Sequence, residues 1–349
     1  LGPSCIADPT ARKETFVGNV PPESGILIPA ESMRELVSAL FVKAGTSTQH
    51  ANTMAELLVA TDLRGVFSHG TSAAVGYVRL MLEGRVNARP NIGVVRETAT
   101  TRVLDGDGGM GHLPCKQGTD WAIATALEMG TAAVTTRNHF HFGGASKYSR
   151  LAIEKNCIAI AASSHRFHPN PAGNVKSATG GSPVSIAIPA GRQPPLVLDM
   201  ASGFLPWDPE LFEKMPFPFF KDLGLGALVY SLGGVLAGIY KKEFIPPESP
   251  YESNQGAFIA IFSVEAFMDV DELHAEMDRY IGQVRNLEPF PGYDQAELPG
   301  GLEWQREKDY ARDGIPVGDG HRQSLETLAI ELGVEPPFQR FEHTRFSPR

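Results

Sequence analysis

Apolar positions in this chain change their period twice along its length. Met33, Leu36, Val37 and Leu40 recur at the three-and-four spacing of one helical face until Gly45. Ser32 and Glu35 stand at capping-box spacing ahead of that run, so a helix is expected to open at Ser32. Further helices are expected over 49–63 and 72–83, the last stopped by Gly84. From Gly93 to Asp105 the period falls to two and Thr and Val dominate, which predicts paired strands. After the Gly-rich turn DGDGGMG (105–111) come a helix over 116–129, a strand over 131–136, a helix over 145–155 and a buried strand over 157–162. Strands are expected at 185–189, 196–199 and 257–262, and helices at 270–287 and 324–332. The run 223–239 is apolar almost all round and Gly-rich, the pattern of a buried helix approached closely by other backbone.

Helices, then mixed strands and helices, then helices again predict an α+β fold. Residues 1–29 read as an N-terminal arm and 336–349 as a mobile tail. Residues 91–264 form the α+β unit, and 30–90 with 265–335 a helical unit drawn from both chain ends. The regular strand–helix alternation of a doubly wound sheet is missing.

Composition narrows the function classes. A net charge of −9 with no dense Lys/Arg block argues against a nucleic-acid partner. No apolar run in the sequence reads as long enough to span a bilayer, so no membrane partner is expected. Three widely spaced cysteines (Cys5, Cys115, Cys157) suit reduced thiols and a cytoplasmic setting better than a disulfide framework.

Several residue types point to chemistry. DGDGGMG lacks the helix-opening G-x-G-x-x-G of a dinucleotide fingerprint and reads locally as a tight turn. Gly180, Gly181 and Ser182 could bring backbone N–H groups to an anion, or form a plain loop. His69, in Ser68-His69-Gly70, falls between two helices. His141 precedes Phe142-Gly143-Gly144, and His165 follows a buried strand. A histidine at such an element end can face a cleft and exchange protons near neutral pH, although each taken singly is as readily structural. His139 and His141 lack a spaced third ligand, so no metal site is expected.

Read in order, DLRGVFSHG (62–70), Tyr77, VLDGDGGMGH (103–112), HFHFGGASKY (139–148), ATGGSPVSIAIPAG (178–191), LVLDMASG (196–203), KDLGLGALVYSLGGVLAG (221–238) and ELPG (297–300) resemble the malate/L-lactate dehydrogenase family. The resemblance implies a non-Rossmann mixed sheet that binds NAD or NADP. It also implies a homodimer, and hydride transfer to or from a 2-oxo/2-hydroxy acid or a related C=N compound. It places the acid/base role on His141, with His69 and Ser68 beside it. Cofactor contacts fall on Lys221, Asp199, Met200, Ala201, His165, Gly180, Gly181, Ser182 and Gly300. The sequence also departs from the family. Ala73 stands where the family carries a carboxylate-binding Arg, and the segment between Asp199 and Lys221 is short, so Arg166, His168 or Lys176 are the expected replacement anion contacts. Those departures keep open a family fold with diverged chemistry, or a non-catalytic dimer that binds a small ligand.

Overall fold

The structure, a computed structural model, describes residues 19–347. β1 (Gly25–Ile28) leads into α1 (Ala30–Lys43), α2 (Thr48–Leu63) and α3 (Ala74–Leu82), with single turns of 3₁₀ helix at Phe67–His69 and Thr71–Ala73. There follow β2 (Gly93–Glu97), β3 (Thr101–Asp105), α4 (His112–Met129), β4 (Thr131–His139), α5 (Ser146–Ile153), β5 (Cys157–His165), β6 (Pro183–Ile188) and β7 (Leu196–Ala201). The chain continues through α6 (Pro209–Lys214), α7 (Pro216–Tyr230), β8 (Gln255–Ser263), α8 (Val270–Arg285), α9 (Gly301–Asp313), β9 (Ile315–Gly318) and α10 (Asp319–Glu331).

Seven strands form one mixed sheet in the order β2-β3-β4-β8-β5-β6-β7. Only β3 and β4 run parallel; every other pair is antiparallel. β8 comes from far along the chain, yet it lies at the centre between β4 and β5. Its buried residues explain that position. Ala257, Ile259 and Ile261 join Val134, Ala159 and Ala161 under α4 and α5, where small side chains let the helices lie close to the sheet.

A second core joins the two ends of the described chain. Ile26 and Ile28 of β1 pack with α1–α3, with Ile315 and Val317 of β9, with Leu325 and Leu328 of α10, and with Phe338.

Several expectations change here. α1 opens at Ala30 after Pro29 with no side-chain cap, so Ser32 and Glu35 lie inside its first turns and form no capping box. The expected N-terminal arm is not free throughout, because residues 25–28 are the strand β1, antiparallel to β9. Neither β9 nor α9 stood out in the sequence: β9 is four residues long, and α9 is almost wholly polar outward. The segment after Pro336 is not a loose tail through its described part. Phe338 is fully buried, and Phe346 bonds back to Gly25. Burying one Phe contributes about 1.5–3 kcal/mol, enough to fix a short segment. α8 is tied to the sheet unit, since Asp278 accepts from the N–H groups of Gly191, Arg192 and Gln193 at 2.8–3.0 Å.

The largest departure concerns 223–239. The helix begins earlier, at Pro216, and runs on through a π-helical turn (Ser231–Leu236). That makes a continuous 21-residue segment, 216–236, which by length and composition alone could cross a membrane, contrary to the sequence reading. Nor is it buried all round. Gly233 and Val229 face the sheet, while Phe217, Phe220, Leu228, Val235 and Leu236 stand exposed along one stripe.

Candidate active site

The loop between α2 and α3 is set by one buried carboxylate. Asp62, at the end of α2, is fully buried and accepts from the Thr71 N–H (3.0 Å) and the Thr71 hydroxyl (2.5 Å). Burial raises its pKa to about 6, against the opposing pull of those bonds and of Lys147. Gly70 lies directly over it: a Cβ there would fall 1.7 Å from Asp62 Oδ1. The bare backbone at Gly70 lets the chain turn across the carboxylate and present Ser68 and His69 to a cleft. Ser68 Oγ lies 2.9 Å from His69 Nδ1.

His141 approaches from the opposite wall. The DGDGGMG turn spends the N–H groups of Gly106, Gly108, Gly109 and Gly111 on backbone carbonyls and forms a collar around the strand end that carries His141. Gly108 N–H donates to Asn138 O, Phe140 N–H to Gly109 O, and Gly111 N–H to His141 O, at 2.8–3.0 Å. A Cβ at Gly111 would fall 2.5 Å from His139 Nδ1, so the collar closes only on glycine. His139 points inward, with its ring nitrogens on Thr136 Oγ1 (2.8 Å) and Phe140 O (2.7 Å), and is structural. His141 points the other way and stacks on His69 with ring centroids 5.8 Å apart. Among the described residues no cluster of His, Cys, Asp or Glu is arranged to hold a metal ion.

Two residues to which the sequence assigned no role of their own shape this pair. Tyr77 OH lies 2.5 Å from His141 Nδ1. Burial holds the phenol well above its usual range, so it stays protonated and fixes the ring with Nε2 free toward the cleft. Lys147, buried on α5, donates to His69 O (2.8 Å), Leu57 O (3.4 Å) and Thr61 Oγ1. Burial pulls its pKa down to about 7. A lysine in an otherwise small and aromatic run (GGASKY) was the available signal.

Burial lowers His141 to about 4, with His69, Lys147 and His139 adding like-charge repulsion. His69 is lowered by burial and by Lys147, against a raising influence from Asp199. An imidazole near 6.5 was the expectation for His141. In its buried setting it is neutral at pH 7, a proton acceptor rather than a standing acid.

The cleft between these walls has a volume of about 1390 Å³. That exceeds the roughly 300–1,000 Å³ of a typical small-ligand pocket. Asp199, Met200 and Ala201 of β7, His165 at the end of β5, Gly181, Ser182 and Gly300 all line it with Ser68, His69 and His141. Asp199 caps α5 by accepting from Ser146 N–H at 3.1 Å. Gly181 (φ 61°) and Gly300 (φ 98°) hold conformations that favour glycine, and a Cβ on Gly300 would meet Pro195 O at 2.8 Å. Gly180 sits just behind the lining, against Phe167 and His165. Lys221 is exposed on α7 and is not among the lining residues. None of the expected replacement cations reaches the cleft either. Arg166 is spent on the carbonyls of Ile239, Phe244 and Ser253, Lys176 pairs with the buried Asp222, and His168 sits beside Tyr240.

A model of the malate/L-lactate dehydrogenase family matches residues 28–208 and 205–326. The chain belongs to that family. Malate dehydrogenase of Pyrococcus horikoshii is 26% identical over 90% of this chain and 97% of its own length. Its solved structure superposes with a TM-score of 0.78 over 89% of this chain and 97% of that one. L-sulfolactate dehydrogenase of Methanocaldococcus jannaschii is 27% identical over 88% of this chain and 98% of its own. Ureidoglycolate dehydrogenase (NAD(+)) of Escherichia coli K12 is 24% identical over 87% of this chain and 96% of its own. This malate/L-lactate dehydrogenase family member is accordingly a dehydrogenase. Its two matched stretches meet at 205–208, in the short segment between Asp199 and Lys221.

Proposed function

We propose that this family member oxidises a 2-hydroxy acid, or reduces the matching 2-oxo acid or C=N analogue, with NAD or NADP held on the mixed sheet rather than on a Rossmann domain. The observation that carries the reading is the stacked pair of imidazoles, His69 and His141, brought together from opposite walls of a cleft large enough for a dinucleotide and a small acid. The residues present fit such a cofactor. Gly181 and Ser182 offer backbone to an anion, the β7 segment Asp199–Ala201 forms an adjacent wall, and Gly300 opens the N-terminus of α9.

The nicotinamide supplies hydride exchange at the substrate carbon. The protein handles the proton. With Nδ1–H donating to the Tyr77 oxygen, the unprotonated Nε2 of His141 takes the hydroxyl proton as the C–O bond gains double-bond character, and returns it in the reverse direction. His69, held through its carbonyl by Lys147 and through its ring by Ser68, orients the substrate. The core that packs β1 and α1–α3 with β9, α10 and Phe338 carries His69 against the sheet. Titrating NADH and NADPH against intrinsic Trp fluorescence tests the reading. Saturable quenching by either one is expected, and none by either would overturn it.

The exposed stripe on α7 fits a homodimer face. Phe217, Phe220, Leu228 and Val235 follow helical spacing, Gly224 leaves open space among them, and the segment is tied to its own chain through Asp222 and Gly233. In solution the protein is expected to sediment at twice the 37.7 kDa chain mass, and Leu228→Asp to shift it toward one chain. A wild-type protein that sediments as a single chain at micromolar concentration would sink this assignment.

A further inference from the structure

We infer that Arg150 is the anchor for an oxyanion carried into the cleft by a ligand, either the carboxylate of the acid substrate or a phosphate of the dinucleotide. This rests on the dehydrogenase reading above. Arg150 lies on α5 one turn beyond Ser146, so both present the same helix face to the cleft they line. The residue is only 5% exposed. Its Nε is buried with no hydrogen-bond partner, and no carboxylate among the described residues lies within ion-pair distance of it.

Two of the three carboxylates around it are committed elsewhere. Glu307 pairs with Arg64 at 2.9 Å, and Asp199 caps α5. Glu303 lines the same cleft without bonding to Arg150. Burial and the neighbouring Arg64 charge press Arg150 down to about 10, against the pull of Glu303, Glu307 and Asp199. A buried guanidinium left unpaired is costly, and an arriving oxyanion relieves that cost while using the planar fork of N–H donors.

The rest of the lining sharpens the point. Asp199, Glu288, Asp294, Glu297 and Glu303 are acidic, whereas Arg150 is the one Arg or Lys among the described lining residues. A substrate acid and a dinucleotide are both anions, and among the side chains of this largely acidic lining the Arg150 guanidinium is the one that attracts them by its fixed charge.

The test is calorimetric titration of wild type, Arg150→Met and Arg150→Lys with NADH, NADPH, inorganic pyrophosphate and oxalate, the last in the presence and absence of saturating NADH. Arg150→Met is expected to lose roughly tenfold to a hundredfold affinity for at least one of these, and Arg150→Lys to recover part of it. Loss confined to oxalate assigns the anion to the substrate carboxylate. Loss shared by NADH and pyrophosphate assigns it to the dinucleotide phosphates, and loss confined to NADPH to its extra phosphate. Because the replaced cation is unpaired, Arg150→Met is expected to keep or raise Tm, whereas a structural role would lower it. Wild-type affinities for all four ligands in folded Arg150→Met would overturn the inference. Wild type that binds oxalate or pyrophosphate but neither nucleotide would overturn the dehydrogenase reading alone, and the Arg150 comparison would still be decided on those two anions. Wild type that binds none of the four would overturn both.

Discussion

His141→Ala is expected to lower kcat for the acid–ketone interconversion by roughly 10²–10⁴ while leaving dinucleotide affinity nearly intact. The ring is the group in the cleft with one nitrogen fixed by a protonated phenol and the other free for substrate. Removing it takes away the acceptor assigned to the hydroxyl proton. His69→Ala is expected to act mainly on KM. Tyr77→Phe keeps the imidazole but frees its rotation, so a milder loss, about threefold to tenfold, matches one hydrogen bond.

A pH profile adds an independent reading. Burial places His141 at about 4, so kcat/KM for 2-hydroxy-acid oxidation should hold through neutral pH and fall only as pH drops toward that value. Lys147 is faced by Asp62, Arg64, His69, His112, His141 and Asp199. Its positive charge disfavours an imidazolium, so Lys147→Met should raise the His141 pKa and move the acid limb to higher pH. Full kcat in His141→Ala together with an inactive His69→Ala would reverse the two roles. An acid limb that Lys147→Met leaves in place would remove Lys147 from the site's electrostatics.

Gly70→Ala should cost about 1–3 kcal/mol of stability, in the manner of an overpacked core position. It should also cost roughly 10²-fold in kcat/KM, the scale of an ångström-sized misplacement of a catalytic group. The backbone at Gly70 has an ordinary φ of −91°, so conformational strain is not the reason. The obstacle is Asp62, whose Oδ1 and Cγ would lie 1.7 and 2.5 Å from the new Cβ. Asp62 cannot withdraw without releasing both of its bonds to Thr71 in a site with no water access. The turn would have to lift instead, taking His69 with it and stretching its carbonyl from Lys147. Denaturant midpoints and kcat/KM check the two parts separately. Wild-type values in both would show that the turn is not set by the Gly70–Asp62 contact. Adding Asp62→Ala to Gly70→Ala should ease the clash while leaving Thr71 without its anchor.

What was legible along the chain was local. α2, α8 and the hairpin of β2 and β3 announce themselves because periodicity and turn chemistry act over neighbouring residues. The family resemblance, carried by short runs in order, marked His69, His141, Asp199–Ala201, Gly181, Ser182 and Gly300, and all of these line one cleft. Elements whose stability comes from distant partners were hidden. β1 and β9 are four residues each and exist as strands only because they pair with each other. The segment after Pro336 looked polar and loose, but Phe338 finds a core built mostly from the first third of the chain.

The sequence by itself determined the family, the helical and strand periods, and the histidines available for proton transfer. The tertiary structure alone decided which of those histidines meet. His139 and His141 are two residues apart and face opposite sides because the Gly106–Gly111 collar turns the strand end between them. It also decided their charge state, because burial depends on what packs against a ring and on no residue's own identity. And it decided which cation lines the cleft. Arg166 and Lys176 have the right chemistry along the chain but are paired elsewhere, and Lys221 is exposed on α7 and does not line the cleft of this chain. Arg150, inconspicuous inside a helix, is left buried and unpaired where a ligand anion would arrive.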